Sequence, residues 1–260
     1  MPSLPEPKNL EVLRIPVLDD NYIWLMHDAA SGDTVVIDPA VAAPVLAAAE
    51  ARGWRIGQIW NTHWHPDHAG GNAAIKAATG CTVTAPQLDA PKIEAVDRTV
   101  TQGDRVRIGE YSAQVIDVGG HTLGHLAYHL PEADIAFVGD SVFALGCGRM
   151  FEGTPPQFWS SLTRIKALPP QTLLYCAHEY TASNARFALH ADPKNTALAD
   201  YANEISERRA RDLPTVPTKL ERELATNPFL RADDPTLQAR WGGSDAVATF
   251  AALRSAKDSF

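Results

Sequence analysis

The chain has 260 residues, of which 45% are hydrophobic and 21% charged, and this ordinary composition excludes intrinsic disorder, collagen and a coiled-coil rod. Lys and Arg number 23 against 31 Asp and Glu, which gives a net charge of −8 and argues against general nucleic-acid binding. No apolar run reaches the ~20 residues of a bilayer-spanning helix. Residues 1–8 lack the apolar core of a signal peptide, so we expect neither a membrane span nor a leader.

The three cysteines are Cys81, Cys147 and Cys176. An odd number of widely spaced cysteines argues against a disulfide framework and fits a reducing compartment. We therefore predict a cytoplasmic location.

The first two thirds of the chain alternate short apolar runs with turns, which predicts a mixed α/β fold. Strands are predicted at 10–17, 22–26, 34–37, 56–60, 81–84, 105–108, 112–118, 124–130, 135–139 and 172–177. Helices are predicted at 41–52, 68–78 and 156–168, followed by Gly53, Gly80 and Pro169 as stop signals. The elements interleave without a regular βαβ period, which favours two sheets with helices outside over a Rossmann fold.

The residue pattern changes after residue 181. The strand-like alternation of apolar and polar residues ends there, and Ala, Arg, Glu and Leu become the dominant residues. Helices are predicted at 182–191, 195–212, 217–225 and 244–254. We therefore predict two domains, an α/β domain over 1–178 and a helical domain over 179–260.

The segment Thr62–His68 reads THWHPDH and places three imidazoles and a carboxylate within six residues. These groups suit Zn²⁺ and also Fe or Mn. Side chains two apart on an extended segment point the same way, so His63 and His65 can face one ion, while Asp67 and His68 can face a neighbouring position. The competing interpretation is a His-rich surface loop.

Three further metal-capable residues, His121, Asp140 and His178, each follow a predicted apolar strand. Each of them alone is more simply explained as a hydrogen-bonded structural residue. The joint pattern favours a ligand site, because strand ends fix positions while the adjoining loops leave room.

The order of these motifs resembles that of the metallo-β-lactamase superfamily. Further short motifs are similar to those of the hydroxyacylglutathione hydrolase (glyoxalase II) family. The resemblance rests on the HxHxDH segment and on Asp20–Tyr22, Gly120–Thr122, Gly139–Ser141, Gly146–Arg149, Glu152–Thr154, His178–Thr181, Asn227–Arg231 and Arg254–Asp258. It implies an αββα sandwich of two mixed sheets, followed by a C-terminal helical domain that binds glutathione.

The resemblance also implies two divalent metal ions, with zinc expected and iron or manganese possible. One would be held by His63, His65 and His121, the other by Asp67, His68 and His178, and Asp140 would bridge them. The implied reaction is attack of a metal-bridging hydroxide on the thioester of S-D-lactoylglutathione, which gives glutathione and D-lactate in the second step of methylglyoxal detoxification. Asp67 and Asp140 are the catalytic carboxylates on this interpretation, and Asp67 also orients the hydroxide.

Glutathione carries two carboxylates, which an acidic protein repels unless cations lie close by. The resemblance assigns substrate contacts to Arg149, Tyr180, Arg254 and Lys257. Arg149 stands where the family usually has Lys, and Phe151 stands where it often has Tyr, so a hydroxyl contact to the peptide is missing. The alternative for each basic residue is solvated surface charge.

The main alternative is a mononuclear iron persulfide dioxygenase of the same superfamily, although the ~80 residues after His178 favour the hydrolase. Other hydrolases of this fold, among them lactonases and β-lactamases, are expected to lack cationic anchors, and a nuclease is expected to be basic. A non-catalytic metal-binding protein is a further alternative. The expected partner is a small glutathione thioester, with no nucleic acid, no membrane and a monomeric chain.

Overall fold

The computed structural model of the chain describes residues 10–260. The N-terminal segment, for which the sequence predicts no leader peptide, lies outside the described residues. Within residues 10–260, no helix is both long and apolar enough to cross a membrane. The described chain forms two compact units: unit 1 comprises residues 10–117 and 124–139, and unit 2 comprises 118–123 and 140–260. The predicted domain boundary between residues 178 and 179 stays a prediction.

The bounds of the elements are as follows. The strands are β1 Leu10–Val17, β2 Asn21–Asp28, β3 Thr34–Ile37, β4 Ile56–Trp60, β5 Thr82–Pro86, β6 Arg98–Val100, β7 Arg105–Ile108, β8 Tyr111–Asp117, β9 Leu126–Leu130, β10 Ile135–Gly139, β11 Val142–Phe143, β12 Gly146–Cys147, β13 Leu173–Cys176 and β14 Thr218–Lys219. The helices are α1 Ala43–Arg52, α2 Pro66–Ala69, α3 Asn72–Thr79, α4 Pro155–Lys166, α5 Thr181–Ala191, α6 Thr196–Arg209, α7 Leu220–Thr226, α8 Pro235–Trp241 and α9 Ala246–Asp258.

The first sheet of unit 1 has six strands in the order β1-β2-β3-β4-β5-β6. β1, β2 and β3 pair antiparallel through short turns, whereas β3 to β6 pair parallel. The parallel pairs require crossovers, which α1 and α3 supply between β3, β4 and β5. β4 is thereby an interior strand, and the histidine-rich segment leaves from its C-terminal end.

Two helices cover one face of this sheet. Val45 and Ala49 of α1 and Ile75 of α3 join the apolar core formed by strand residues such as Val36 and Ile59. Both helices end at a glycine with positive φ, Gly53 for α1 and Gly80 for α3. Burial of these side chains stabilises the sheet by about 1.5–3 kcal/mol for each large aliphatic group.

A second set of strands in unit 1 forms consecutive antiparallel pairs in the order β10-β9-β8-β7. Its contact with the first sheet includes Trp60 and Tyr128, whose ring centroids lie 5.3 Å apart. The Tyr128 hydroxyl donates a 2.8 Å hydrogen bond to the Asn61 carbonyl, immediately after β4. The end of β4 is therefore fixed from both faces of the sheet.

Unit 2 contains the remaining helices and two short antiparallel strand pairs, β11 with β12 and β13 with β14. α5 and α6 form one apolar cluster through side chains such as Ala188, Leu198 and Ile205. Leu145, from the turn between β11 and β12, is buried in the same cluster. The hairpin is thus packed into the helical core of its unit.

The single helix predicted at 68–78 is wrong, because the chain forms α2 and α3 with a break at Gly70 and Gly71. A Cβ on Gly70 would lie 2.8 Å from the Ala40 carbonyl oxygen, and one on Gly71 would lie 2.8 Å from the Pro39 carbonyl oxygen. The loop before α1 therefore approaches this backbone too closely for a side chain. This tertiary contact interrupts a segment that is helical by local propensity.

The C-terminal part also departs from the sequence prediction in detail. The helix predicted from 217 begins at Leu220 after the short strand β14, and α8 was not predicted. Asp234 caps α8 by accepting a hydrogen bond from the Thr236 amide, and Pro235 stands in its first turn. The remaining predicted strands and helices are present with end shifts of a few residues.

Candidate metal centre

The first group of predicted ligands leaves the C-terminal end of β4 in unit 1. The Nε2 atom of His63 lies 3.0 Å from Nδ1 of His65, so the two rings converge. The other ring nitrogen of His63, Nδ1, lies 3.0 Å from the Thr62 hydroxyl oxygen. This contact fixes the ring orientation and leaves Nε2 directed at His65, an arrangement typical of a metal-binding histidine.

His68 in α2 is oriented by Asp38, a residue that the sequence interpretation missed. Its Nδ1 atom lies 3.1 Å from Asp38 Oδ2, and the Asp38 carboxylate also accepts 2.7 Å hydrogen bonds from the Thr62 amide and hydroxyl. A carboxylate that already accepts these bonds favours a proton on Nδ1, so Nε2 of His68 presents its lone pair. Ligand atoms of Asp38, His63 and His68 lie within 4.8 Å of one another.

Asp67 lies beside His68, with 3.5 Å between Asp67 Oδ2 and His68 Nε2. The Asn21 side-chain amide donates to both the carboxylate and the carbonyl of Asp67, at 3.1 and 3.2 Å. Asn21 is buried at the start of β2, so the position of Asp67 is fixed by a residue of the sheet and not by its own short helix.

The second group of predicted ligands lies in unit 2 and is centred on Asp140. His121 Nε2 is 3.3 Å from one carboxylate oxygen of Asp140, and His178 Nε2 is 3.3 Å from the other. His121 Nδ1 donates a 2.8 Å hydrogen bond to the carbonyl of Arg149. All three side chains are buried.

The geometry around Asp140 fits a metal ion. Because a carbonyl oxygen only accepts, Nδ1 of His121 carries the proton and Nε2 presents a lone pair toward the carboxylate. A lone pair and a carboxylate oxygen at 3.3 Å repel each other unless positive charge lies between them. Imidazole and carboxylate are also the donors that zinc, iron and manganese accept. The His and Asp clusters therefore fit a divalent cation.

The three predicted substrate-binding cations lie together in unit 2. Arg254 Nη2 lies 2.8 Å from Asp258 Oδ1, and Arg149 Nε lies 3.9 Å from the same oxygen. Lys257 Nζ donates a 3.1 Å hydrogen bond to the Ser183 hydroxyl of α5. Partial burial, together with Arg254, Arg186 and Arg149, lowers the pKa of Lys257. Sequence reasoning missed Arg186, which has the form of an ordinary exposed helix residue.

Arg254 differs from the other cations because its side chain is only 5% exposed. Its Nη1 atom donates a 2.9 Å hydrogen bond to the Cys147 carbonyl, and its guanidinium lies 5.1 Å from the ring centre of Phe229. Arg254 therefore holds the chain just before Arg149, in addition to any contact with a ligand.

The two predicted aromatic contacts lie beside metal-ligand candidates. The Tyr180 ring stacks on the His178 ring, with centroids 4.7 Å apart and an interplanar angle of 2°. Phe151 is 61% exposed and its ring centroid lies 5.3 Å from that of His121. Both rings are partly accessible, so an incoming ligand can contact them.

Comparison with known proteins identifies the fold and the family. The family model of the metallo-beta-lactamase superfamily matches residues 18–178, and the model of the hydroxyacylglutathione hydrolase C-terminus matches residues 179–260. The crystal structure of ETHE1 from Myxococcus xanthus is similar in fold, with a TM-score of 0.66 and 23% identity over 95% of this chain and 99% of that chain. The fold, two mixed sheets with helices and a C-terminal helical region, is therefore that of the metallo-β-lactamase superfamily, as predicted.

Relatives of higher identity define the family within that class. The chain is 65% identical to the hydroxyacylglutathione hydrolase of Erythrobacter litoralis over 96% of this chain and 100% of the relative. It is 57% identical to that of Hyphomonas neptunium over 96% and 98%. The chain belongs to the hydroxyacylglutathione hydrolase family. Family membership confirms the predicted family and supports it over the persulfide dioxygenase alternative. The fold, together with its His and Asp clusters, implies a divalent-metal site.

Proposed function

We propose that the protein hydrolyses the thioester of S-D-lactoylglutathione to glutathione and D-lactate, the second step of methylglyoxal detoxification. Family membership supports the thioesterase activity. The observation that carries the proposal is the environment of the Asp140 carboxylate. One of its oxygens lies 3.3 Å from His121 Nε2, and the other lies 3.3 Å from His178 Nε2. Such a carboxylate can bind two cations at once.

We propose two divalent metal ions per chain, most naturally zinc. His63, His65 and His121 would hold one, Asp67, His68 and His178 would hold the other, and Asp140 would bind both. Support comes from the orientation of the rings: Thr62, Asp38 and the Arg149 carbonyl each engage one nitrogen of a ligand histidine and leave the other available. Such outer partners typically strengthen metal binding by 10–100-fold.

Divalent cations bound at these ligands lower the pKa of a coordinated water and polarise a carbonyl oxygen. The task of the chain's own residues is to hold the carboxylates in place. Asn21 donates to Asp67 Oδ2, the oxygen that lies 3.5 Å from His68 Nε2, and so holds the carboxylate beside that ring. On this proposal Asp67 orients the attacking water.

The basic residues of unit 2 supply the substrate contacts. The peptide part of a glutathione thioester carries two carboxylates, and Arg149, Arg186 and Arg254 each lie close enough to Lys257 to lower its pKa. The Asp258 carboxylate lies near Arg149 and Arg254 and offsets part of their charge. The group therefore has an excess of positive charge on a chain of net charge −8. Tyr180 and Phe151, whose rings lie against His178 and His121, would provide apolar contact.

The leaving group explains why no dedicated acid is needed. A thiol has a pKa near 8.5, so a thiolate departs from a tetrahedral intermediate without prior protonation. The family assignment also supports a glutathione-binding role for residues 179–260, which contribute Tyr180, Arg254 and Lys257. A monomeric chain in the cytoplasm, without nucleic-acid or membrane partners, completes the proposal.

The decisive assay follows the loss of thioester absorbance with S-D-lactoylglutathione and the purified, zinc-supplemented protein. We expect turnover with kcat in the ordinary enzyme range, about 1–10³ s⁻¹. S-lactoyl-N-acetylcysteamine, which has the same acyl group but no glutathione carboxylates, is the matched control substrate and should show a much higher KM. A metal-loaded protein that leaves both thioesters intact contradicts the proposal, and oxygen uptake with glutathione persulfide would indicate the dioxygenase instead.

A further inference from the structure

The β11–β12 hairpin connects two parts of the proposed site along the chain. β11 begins two residues after Asp140, and β12 ends two residues before Arg149. The hairpin returns on itself, because the Gly148 amide donates to the Ser141 carbonyl at 3.4 Å. A Cβ on Gly148 would overlap the carbonyl oxygen of Asp140, so the hairpin end touches the Asp140 backbone. Movement of the hairpin would therefore displace both ends.

The turn of this hairpin has a strained residue at its tip. Leu145 has φ 57°, in the left-handed region that is unfavourable for a non-glycine residue. Its side chain is fully buried in the α5–α6 cluster. Its amide donates a 2.8 Å hydrogen bond to Glu223 Oε2 of α7. Such a conformation persists where the surroundings determine it, and the Glu223 carboxylate is one such determinant.

Glu223 is fully buried, and its carboxylate accepts from three donors. Besides the Leu145 amide, they are the Thr218 hydroxyl at 2.6 Å and the Asn227 side-chain amide at 3.0 Å. Burial raises the pKa of Glu223 to about 7, against the opposing effect of these donors and of Arg222. Tyr201 of α6 also lies close enough to interact with it, since the Glu223 charge contributes to the raised pKa of Tyr201.

Asn227, which follows α7, binds carbonyl groups of the same hairpin. Its Nδ2 atom donates to the Gly146 carbonyl at 2.9 Å and to the Phe143 carbonyl at 3.2 Å. Its Oδ1 atom accepts from the Phe229 amide at 3.0 Å, which fixes the side-chain amide orientation. Asn184 of α5 donates to the Ala144 carbonyl at 3.1 Å. The polar backbone groups of residues 143–146 are thus bound by side chains of the C-terminal region.

We propose that Glu223 and Asn227 are positioning residues, which hold the β11–β12 hairpin by its backbone and thereby set the positions of Asp140 and Arg149. The inference rests on the proposed thioesterase function for its kinetic consequence, whereas the hairpin contacts themselves are independent of it. It gives the C-terminal helices a second role besides substrate contact. In this role both residues act through the hairpin backbone.

The test compares Glu223→Met with Glu223→Gln in the full-length, zinc-loaded protein. Met keeps much of the volume but accepts no hydrogen bond from the Leu145 amide. Gln can accept from that amide through Oε1, while its amide donates to the Thr218 hydroxyl oxygen. Glu221→Met is the matched control, since Glu221 is an exposed neighbour on α7 that pairs with Lys219.

Two readouts are measured at constant pH. Hydrogen exchange of the peptide covering residues 142–149 should accelerate about tenfold or more in Glu223→Met, the change expected for one lost buried hydrogen bond. For S-D-lactoylglutathione, kcat should fall and KM should rise, because Asp140 and Arg149 both shift. Glu223→Gln should restore both readouts to near wild-type values, and Glu221→Met should leave them unchanged.

Other outcomes have defined meanings. A lower melting temperature in Glu223→Met, with unchanged exchange at 142–149 and unchanged kinetics per folded molecule, overturns the positioning role. If Glu223→Met does not fold, Thr218→Val removes one donor to the same carboxylate and should give a smaller change of the same kind; no change in either readout would overturn the proposal. If the wild type does not cleave the thioester, the function proposal fails, whereas the exchange experiment still decides the hairpin contacts.

Discussion

At the scale of the residue, Asp140 carries the most information. It follows the buried strand β10, and each of its oxygens faces a different histidine. A single carboxylate with this environment can neutralise charge at two positions, which neither an amide nor a monodentate ligand does equally well. His121 and His178 lie 57 positions apart in sequence, so only the fold brings them to this carboxylate.

Asp140→Asn should lower the metal content and the turnover together. Asn keeps the shape of the side chain but removes its charge and one acceptor, so a cation loses a ligand and neutralising charge. We expect at least a 10-fold weaker metal affinity, measured by metal analysis after dialysis, and loss of thioester hydrolysis. Asp200→Asn, at an exposed position of α6, is the control. Full metal content with undiminished turnover would contradict the assigned role.

Lys257→Ala should raise KM for S-D-lactoylglutathione about 10–100-fold with little change in kcat, because it removes a charged contact remote from the thioester. The lowered pKa of Lys257 adds a pH dependence: the wild-type ammonium loses its proton below the ordinary lysine range, so KM rises at alkaline pH. This alkaline rise should be absent in the variant. Lys194→Ala, an exposed lysine, serves as control, and a pure kcat loss would argue against the binding role.

At the scale of the element, the regular strands and the α1 stop at Gly53 were predictable, because apolar alternation and glycine caps are local signals. The break between α2 and α3 was not, since it depends on the approach of the loop at Pro39 and Ala40 to Gly70 and Gly71. The two-residue strands β11 and β12 carry no periodic pattern at all. The metal-ligand candidates were recognised from spacing and strand ends, whereas Asp38 and Glu223 act through other residues and leave no motif.

Glu223→Gln should remove a pH dependence of stability. The unfolded carboxyl loses its proton near 4.5, whereas burial holds the folded pKa at about 7. The folded state therefore binds more protons between these values, and this group's contribution to stability falls as pH rises from 4.5 to 7. Denaturant unfolding across that range should show the wild type losing stability relative to the variant as pH rises. A constant difference would show that Glu223 does not titrate there.

At the scale of the whole molecule, charge is distributed unevenly. The chain carries a net charge of −8, yet Arg149, Arg186 and Arg254 all lie close enough to Lys257 to lower its pKa. The screening length is about 8 Å at physiological salt, so a carboxylate bound among these cations is influenced mainly by them and not by distant acidic residues. The net charge thus predicts that the protein repels anions. The fold nevertheless brings these basic residues together, so that an anion is attracted at this one place.

Chelation should inactivate the protein and lower its melting temperature. Metal binds the folded state in preference to the unfolded one, so removal by EDTA subtracts the binding free energy from stability. We expect zinc to restore activity and melting temperature at least in part, as followed by thermal denaturation and thioester hydrolysis of one sample. Calcium, which prefers oxygen donors, is the control cation. Retained activity in metal-free protein would exclude the proposed chemistry.

The buried thiols have a practical consequence. Burial raises the pKa of Cys147 to about 11 and that of Cys176 to about 12, and Cys81 is also buried and has a raised pKa. Alkylating agents react with thiolates, so the native protein should tolerate iodoacetamide at neutral pH. Labelling then reports on opening of the fold: a short pulse modifies only molecules whose interior is exposed at that moment, and mass spectrometry separates them into distinct peaks.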